Sequence, residues 1–199
     1  MVWFLSDQPT EVLSGMGVMQ RLEMIPFQLI MGISDGVIPL VAYTFASGDR
    51  RRMRAAIRMT LGIGLTISLA GLVLYEIFAS DLVRLFINDP SVVEYGASFL
   101  RLRALAMPSV VVEFMLIAVF QATGSARQAI VLSLLRKGTV DIVLMALANF
   151  MWPLYGLMLV QPLMETVGAI TAIILFRTSS RLQVEAHAAA LPSAIRQQA

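Results

Sequence analysis

Cysteine is absent from this 199-residue chain, and histidine occurs once, at His187. Disulfides, thiolate metal sites and cysteine nucleophiles are therefore excluded. A histidine-rich metal centre is excluded for the same reason. Charge is also scarce. Charged residues make up 14% of the chain, against about 25% in a soluble domain. What fills the space is apolar: 58% of the residues are hydrophobic, and the mean hydropathy is +0.78. No metal-ligand cluster is present, and the single histidine lies in the polar carboxy-terminal stretch, so an enzyme is not expected. The amino-terminal MVWFLSDQP lacks a basic region and a long apolar run, so it does not read as a signal peptide. Net charge is +2. In an apolar chain such a surplus reflects basic loops on the inner membrane face, and nucleic-acid binding is not expected.

These features predict an all-α, polytopic membrane bundle. A helix needs about 20 mainly apolar residues to cross a bilayer. Five stretches meet that requirement: about 15–46, 56–79, 97–122, 129–152 and 155–176. Residues 1–14 form a segment on the outer side. Residues 177–199 are polar and alanine-rich, and a frayed cytoplasmic tail is expected there. Orientation comes from the loop GDRRRMRAAIR, where Arg50, Arg51, Arg52, Arg54 and Arg58 crowd together. The positive-inside rule assigns that loop and the carboxy terminus to the cytoplasm. The expected location is a cell membrane of the bacterial inner-membrane type.

Four acids interrupt the apolar stretches: Asp35, Glu113, Asp141 and Glu165. An Asp near the centre of a span costs roughly 2.5–3.5 kcal/mol on insertion scales. Several of them require shelter in a protein interior or a wet cavity, which is how ion and substrate pathways are built. On the first span, Gln28, Gly32, Asp35, Gly36, Pro39 and Tyr43 recur at steps of three and four, a polar seam along one helix face. Two readings of it stand: a cavity wall with a titrating carboxylate, or a packing seam closed by a neighbouring helix. Gly32 and Gly36 would permit the close approach that the second reading needs.

Glu113 has no cation one turn away on its own helix, and Pro108 is expected to loosen that helix. Desolvation disfavours the charged form of a buried acid. Such a group takes a proton in one environment and releases it in another. Asp141 follows Lys137 by four residues, the spacing of partners on a helix surface, and a structural ion pair is expected. Glu165 follows Gln161 by one turn. It can be satisfied by that amide, or it can bind substrate or ion. Glu23 is read as a capping or interface residue. Arg101 and Arg103 fit the outer side poorly, and Glu94 is the acid expected to offset them.

The stretch GISDGVIPLVAYTFASGDRRRMRAAIR resembles the multidrug and toxic-compound extrusion (MATE) transporters. Their carboxy-terminal half carries G-x-x-Q-G-x-x-P, then Y-N-x-G-A and a basic loop. The matching residues here are Gly32, Gly36, Pro39, Tyr43, Gly48 and the arginines. FQATGSARQAIVLSLLRKG and YGLMLVQPLMETVG are similar to later stretches of the family, in the same order. Asp35 stands where the family usually has Gln, and Thr44 where it has Asn. The resemblance implies five helices out of one six-helix lobe of a twelve-helix antiporter, with the amino-terminal lobe missing. It further implies a coupling carboxylate at about the level of Glu113. The expected activity is export of amphipathic or cationic organic compounds in exchange for protons or sodium, by alternating access. The site residues are then Glu113, Asp35, Glu165, Gln28, Gln161 and Tyr43. The partners are the lipid bilayer, small organic cations or drugs, and the second lobe. Apart from the coupling ion, no cofactor is expected. Two alternatives remain at this point: a non-transporting membrane scaffold, and a lipid-linked saccharide flippase. A flippase is expected to have a more basic cavity.

Overall fold

The computed structural model describes residues 10–137 and 155–190, and every described element is helical. In chain order they are α1 (Thr10–Ala46), α2 (Arg50–Arg84), α3 (Pro90–Ala104), α4 (Met107–Ala122), α5 (Ala126–Lys137) and α6 (Tyr155–Ala190). Three described helices, α1, α2 and the 159–178 part of α6, are long and apolar enough to cross a membrane. A fourth span results if α3 and α4, which meet at a 46° bend, count as one.

The turns follow from local chemistry. Gly48 closes α1 at φ +74°, a left-handed position that favours glycine. The next residue, Asp49, caps α2 by accepting from the Arg52 amide at 3.0 Å. Asp89 does the same for α3, accepting from Ser91 and Val92, with Pro90 as the first helical residue. A proline there sacrifices no helical hydrogen bond. At the end of α4, Gly124 lies at φ +71° and the Ser125 amide reaches back to the Phe120 carbonyl at 2.8 Å, a Schellman closure.

Two expectations change here. The stretch 97–122 is not one continuous helix. It breaks at Leu105–Ala106, and Pro108 sits in the first turn of α4. A proline lacks an N–H, so it is tolerated at a helix start and breaks a ladder elsewhere. The second expectation was fraying after Arg177, whereas α6 continues to Ala190. Of the 129–152 stretch, only its start in α5 is described. The remainder, including Asp141, lies outside the described residues.

Small residues set the spacing of the bundle. α1 crosses α3 where Gly15 meets Gly96: a Cβ on Gly15 would lie 2.9 Å from the Gly96 amide nitrogen. On the other side of the bundle, a Cβ on Gly64 of α2 would lie 2.8 Å from a Val111 methyl of α4. Around the first crossing, Met16, Met19, Val83, Phe99 and Leu100 make the largest buried cluster. Further along α1, Val37 and Val41 pack on Met115, Ala118 and Val119 of α4.

Pro26 cannot donate to the Leu22 carbonyl, the partner four residues back. Tyr75 of α2 fills that role, donating its hydroxyl to the Leu22 oxygen at 2.6 Å in a buried setting. Tyr75→Phe leaves that carbonyl unsatisfied and is expected to destabilise the bundle by roughly 1–3 kcal/mol. Thermal unfolding in detergent measures this, and an unchanged midpoint would contradict it.

Candidate functional site

Glu113 is the centre of the site. It lies midway along α4 and is 0% exposed, and it is among the largest fully buried side chains described. Its carboxyl rests against α6, where it faces the bare backbone of Gly168. A Cβ built there would lie 2.9 Å from Cδ and from both carboxyl oxygens. One turn earlier on α6, Glu165 is also buried, at 8% exposure. Thus two buried carboxyl side chains belong to one pair of packed helices.

α4 and α6 run in the same direction. Ser109 meets Thr166 at 3.4 Å, Glu113 meets Gly168, and Phe120 meets Phe176 with ring centroids 6.4 Å apart. The residue numbers rise together on both helices, which is the mark of parallel packing. Gln161 is half-buried one turn before Glu165. Lys137 ends α5, and its pairing with Asp141 lies outside the described residues.

The polar seam of α1 is elsewhere. From Ile30 onward the buried residues of α1 are Ile30, Ser34, Val37, Val41 and Thr44, and Ile30, Val37 and Val41 of this stripe pack with α4. Gln28, Gly32, Asp35, Gly36, Pro39 and Tyr43 are all exposed, Tyr43 at 71%. A Cβ on Gly32 or Gly36 would meet nothing within 4 Å. Among the described residues, no helix closes this seam. Asp35, Gln28 and Tyr43 therefore share one open face of α1, separate from the pair of acids between α4 and α6. Pro39 also withholds an N–H from the Asp35 carbonyl, so a backbone acceptor lies beside that carboxylate.

A second polar element was not anticipated. Glu23 of α1 forms an ion pair with Arg103, in the last turn of α3, with side chains only 24% and 12% exposed. The Arg103 Nη1 is buried and makes no hydrogen bond among the described residues. Beside the pair lies a small cavity lined by Pro26, Phe27, Ile30, Ala106 and Met107. Glu94 is not the partner that Arg103 uses, and Arg101 donates through Nε to the Glu76 carbonyl at 3.2 Å. Eighty residues separate Glu23 from Arg103, and no local spacing could have linked them.

An all-helical bundle with buried acids between apolar helices is the architecture of a multi-pass membrane protein. The family model MatE matches residues 1–147, and the chain belongs to that family. It is 28% identical over 183 residues to the multidrug export protein MepA of Staphylococcus haemolyticus, covering 92% of this chain and 40% of that protein. The MepA protein of Staphylococcus aureus strain MRSA252 is also 28% identical, over 184 residues with the same coverage. The chain thus spans about two fifths of the length of the curated relatives that it matches. Among solved structures, it superposes on an outward-facing multidrug resistance MATE transporter with a TM-score of 0.81 at 17% identity, covering 90% of this chain and 41% of the other. It superposes on an inward-facing one with a TM-score of 0.75 at 19% identity, covering 83% and 39%. At these identities, the likeness concerns the fold.

Proposed function

We propose that this chain is part of a secondary antiporter that exports amphipathic, often cationic organic compounds in exchange for protons or sodium. The observation that carries this reading is the burial of Glu113 between α4 and α6. An ionisable group in such a setting marks an ion or substrate path. Family membership and the multidrug export relatives support the substrate class.

The cycle needs two states of one carboxyl. Ionised, Glu113 attracts a cationic substrate. Protonated or sodium-bound, it releases that substrate. Glu165 is the neighbouring acid that shares the environment. Gln161 stands one turn away as a hydrogen-bonding group. Asp35, Gln28 and Tyr43 belong to the wall that the open face of α1 offers to a facing lobe. Rocking of two lobes exposes such a site to either side in turn. The short span of the match and the uncovered α1 face support a reading in which this chain works only with an amino-terminal lobe. The proposed orientation has the arginine-rich turn before α2 and the carboxy terminus in the cytoplasm.

The test is coupled transport by the complete two-lobe protein in proteoliposomes. An imposed proton or sodium gradient is expected to drive movement of a cationic dye. Dye movement that persists undiminished with both gradients collapsed overturns the antiport reading.

A further inference from the structure

Gly168 has no conformational reason to be glycine. It lies within α6, with an ordinary helical backbone. Glycine costs a helix interior about 1 kcal/mol relative to Ala. The reason lies across the interface. Among the described glycines, Gly168 alone has carboxyl atoms as its nearest neighbours. Gly15 meets backbone, Gly64 and Gly96 meet valine methyls, Gly71 meets a methionine sulfur, and Gly32 and Gly36 meet nothing.

Three Glu113 atoms, Cδ, Oε1 and Oε2, lie equally close at 2.9 Å to the position a Cβ would take. That is closer than real Cβ contacts come. A methyl there must displace the carboxyl, because the carboxyl is the far end of a flexible side chain and the helix backbone is not. The opposite side of α4 is held in place by Val111 against Gly64. The helix cannot retreat without disturbing that second contact. An added methyl therefore acts on the side chain of Glu113.

We propose that Gly168 is a positioning residue for Glu113: its missing side chain is the space in which the carboxyl rests, one turn from Glu165. This rests on the antiport reading for its consequence, namely that the size of residue 168 sets how readily Glu113 accepts its ion. The geometric claim can be tested without transport.

The probe is dicyclohexylcarbodiimide, applied to membranes carrying the full chain. It adds to a protonated carboxyl: the acid proton goes to a carbodiimide nitrogen and the carboxyl oxygen bonds the central carbon. The adduct rearranges to a stable N-acylurea, which mass spectrometry locates at residue 113. Gly168→Ala is expected to change the labelling rate of Glu113 about threefold or more, the scale of coupling between residues in contact. The Asp side chain is shorter by one carbon–carbon bond, about 1.5 Å. In a Glu113→Asp background, Gly168→Ala is therefore expected to leave the labelling rate unchanged.

Equal changes in both backgrounds overturn the proposal, as does no change in the Glu113 background. If Gly168→Ala alone fails to accumulate in the membrane, the Glu113→Asp/Gly168→Ala chain is expected to accumulate as Glu113→Asp does. Failure of that rescue also overturns it. The antiport reading fails separately, through dye movement that persists undiminished with both ion gradients collapsed.

Discussion

Glu113→Gln is expected to abolish ion-coupled efflux by the complete transporter while leaving membrane insertion and the fold unchanged. The side chains are nearly isosteric, so the packing of α4 against Gly168 survives. The amide also resembles the protonated acid in shape and in hydrogen-bonding capacity. What disappears is the second charge state. A site that cannot lose a proton cannot alternate between attracting a cation and releasing it. Removing a buried carboxylate also removes a desolvation cost, so the variant is expected to be as stable as the parent, or more so. The measurement pairs a proteoliposome efflux assay with a melting curve in detergent. Efflux at the parental rate, still driven by the ion gradient, would falsify the role given to Glu113. Loss of both efflux and folding would mean that the carboxyl is structural.

The second large effect is expected at Glu23 and Arg103. Their ion pair ties α1 to the end of α3, immediately before the bend at Leu105–Ala106. Both side chains are mostly buried. Arg103→Met leaves Glu23 without its countercharge, and Glu23→Leu leaves Arg103 likewise stranded. Breaking a buried pair from one side costs roughly 3–5 kcal/mol, whereas replacing both members by apolar residues is often neutral. Each single variant is therefore expected to lower the unfolding midpoint by about 10 °C. The Glu23→Leu/Arg103→Met double variant is expected to recover most of that loss. The recovery matters most, because two independent surface charges would give additive losses instead. Melting curves of the four proteins in detergent decide between these outcomes.

Much of the helical architecture was legible because apolar runs of membrane length leave few alternatives. The turns themselves rest on local chemistry that hydropathy does not register: a left-handed glycine at Gly48 and aspartate caps at Asp49 and Asp89. The break between α3 and α4 was harder to see. Pro108 indicated an irregularity, but the sequence pattern runs apolar through Leu105 and Ala106, so hydropathy did not register it. At the site, the burial of Glu113 and Glu165 was predictable from their surroundings along the chain. The partners of that site were not. Gly168 has no signature of its own, since its importance lies in what another helix places against it. The seam on α1 shows the same division. Its periodicity put six residues on one face, and only the packing of Val37 and Val41 on α4 reveals that this face points away from the bundle.

That outward face has a consequence for the life of the protein in a cell. Lipid against Asp35 and the bare helix at Gly32 and Gly36 would offer neither hydrogen bonds nor close packing, and an uncovered Asp would cost a few kcal/mol there. A complementary surface that binds the folded chain would lower its free energy by mass action. Without such a surface, the folded segment would stay less stable and more open to membrane proteases.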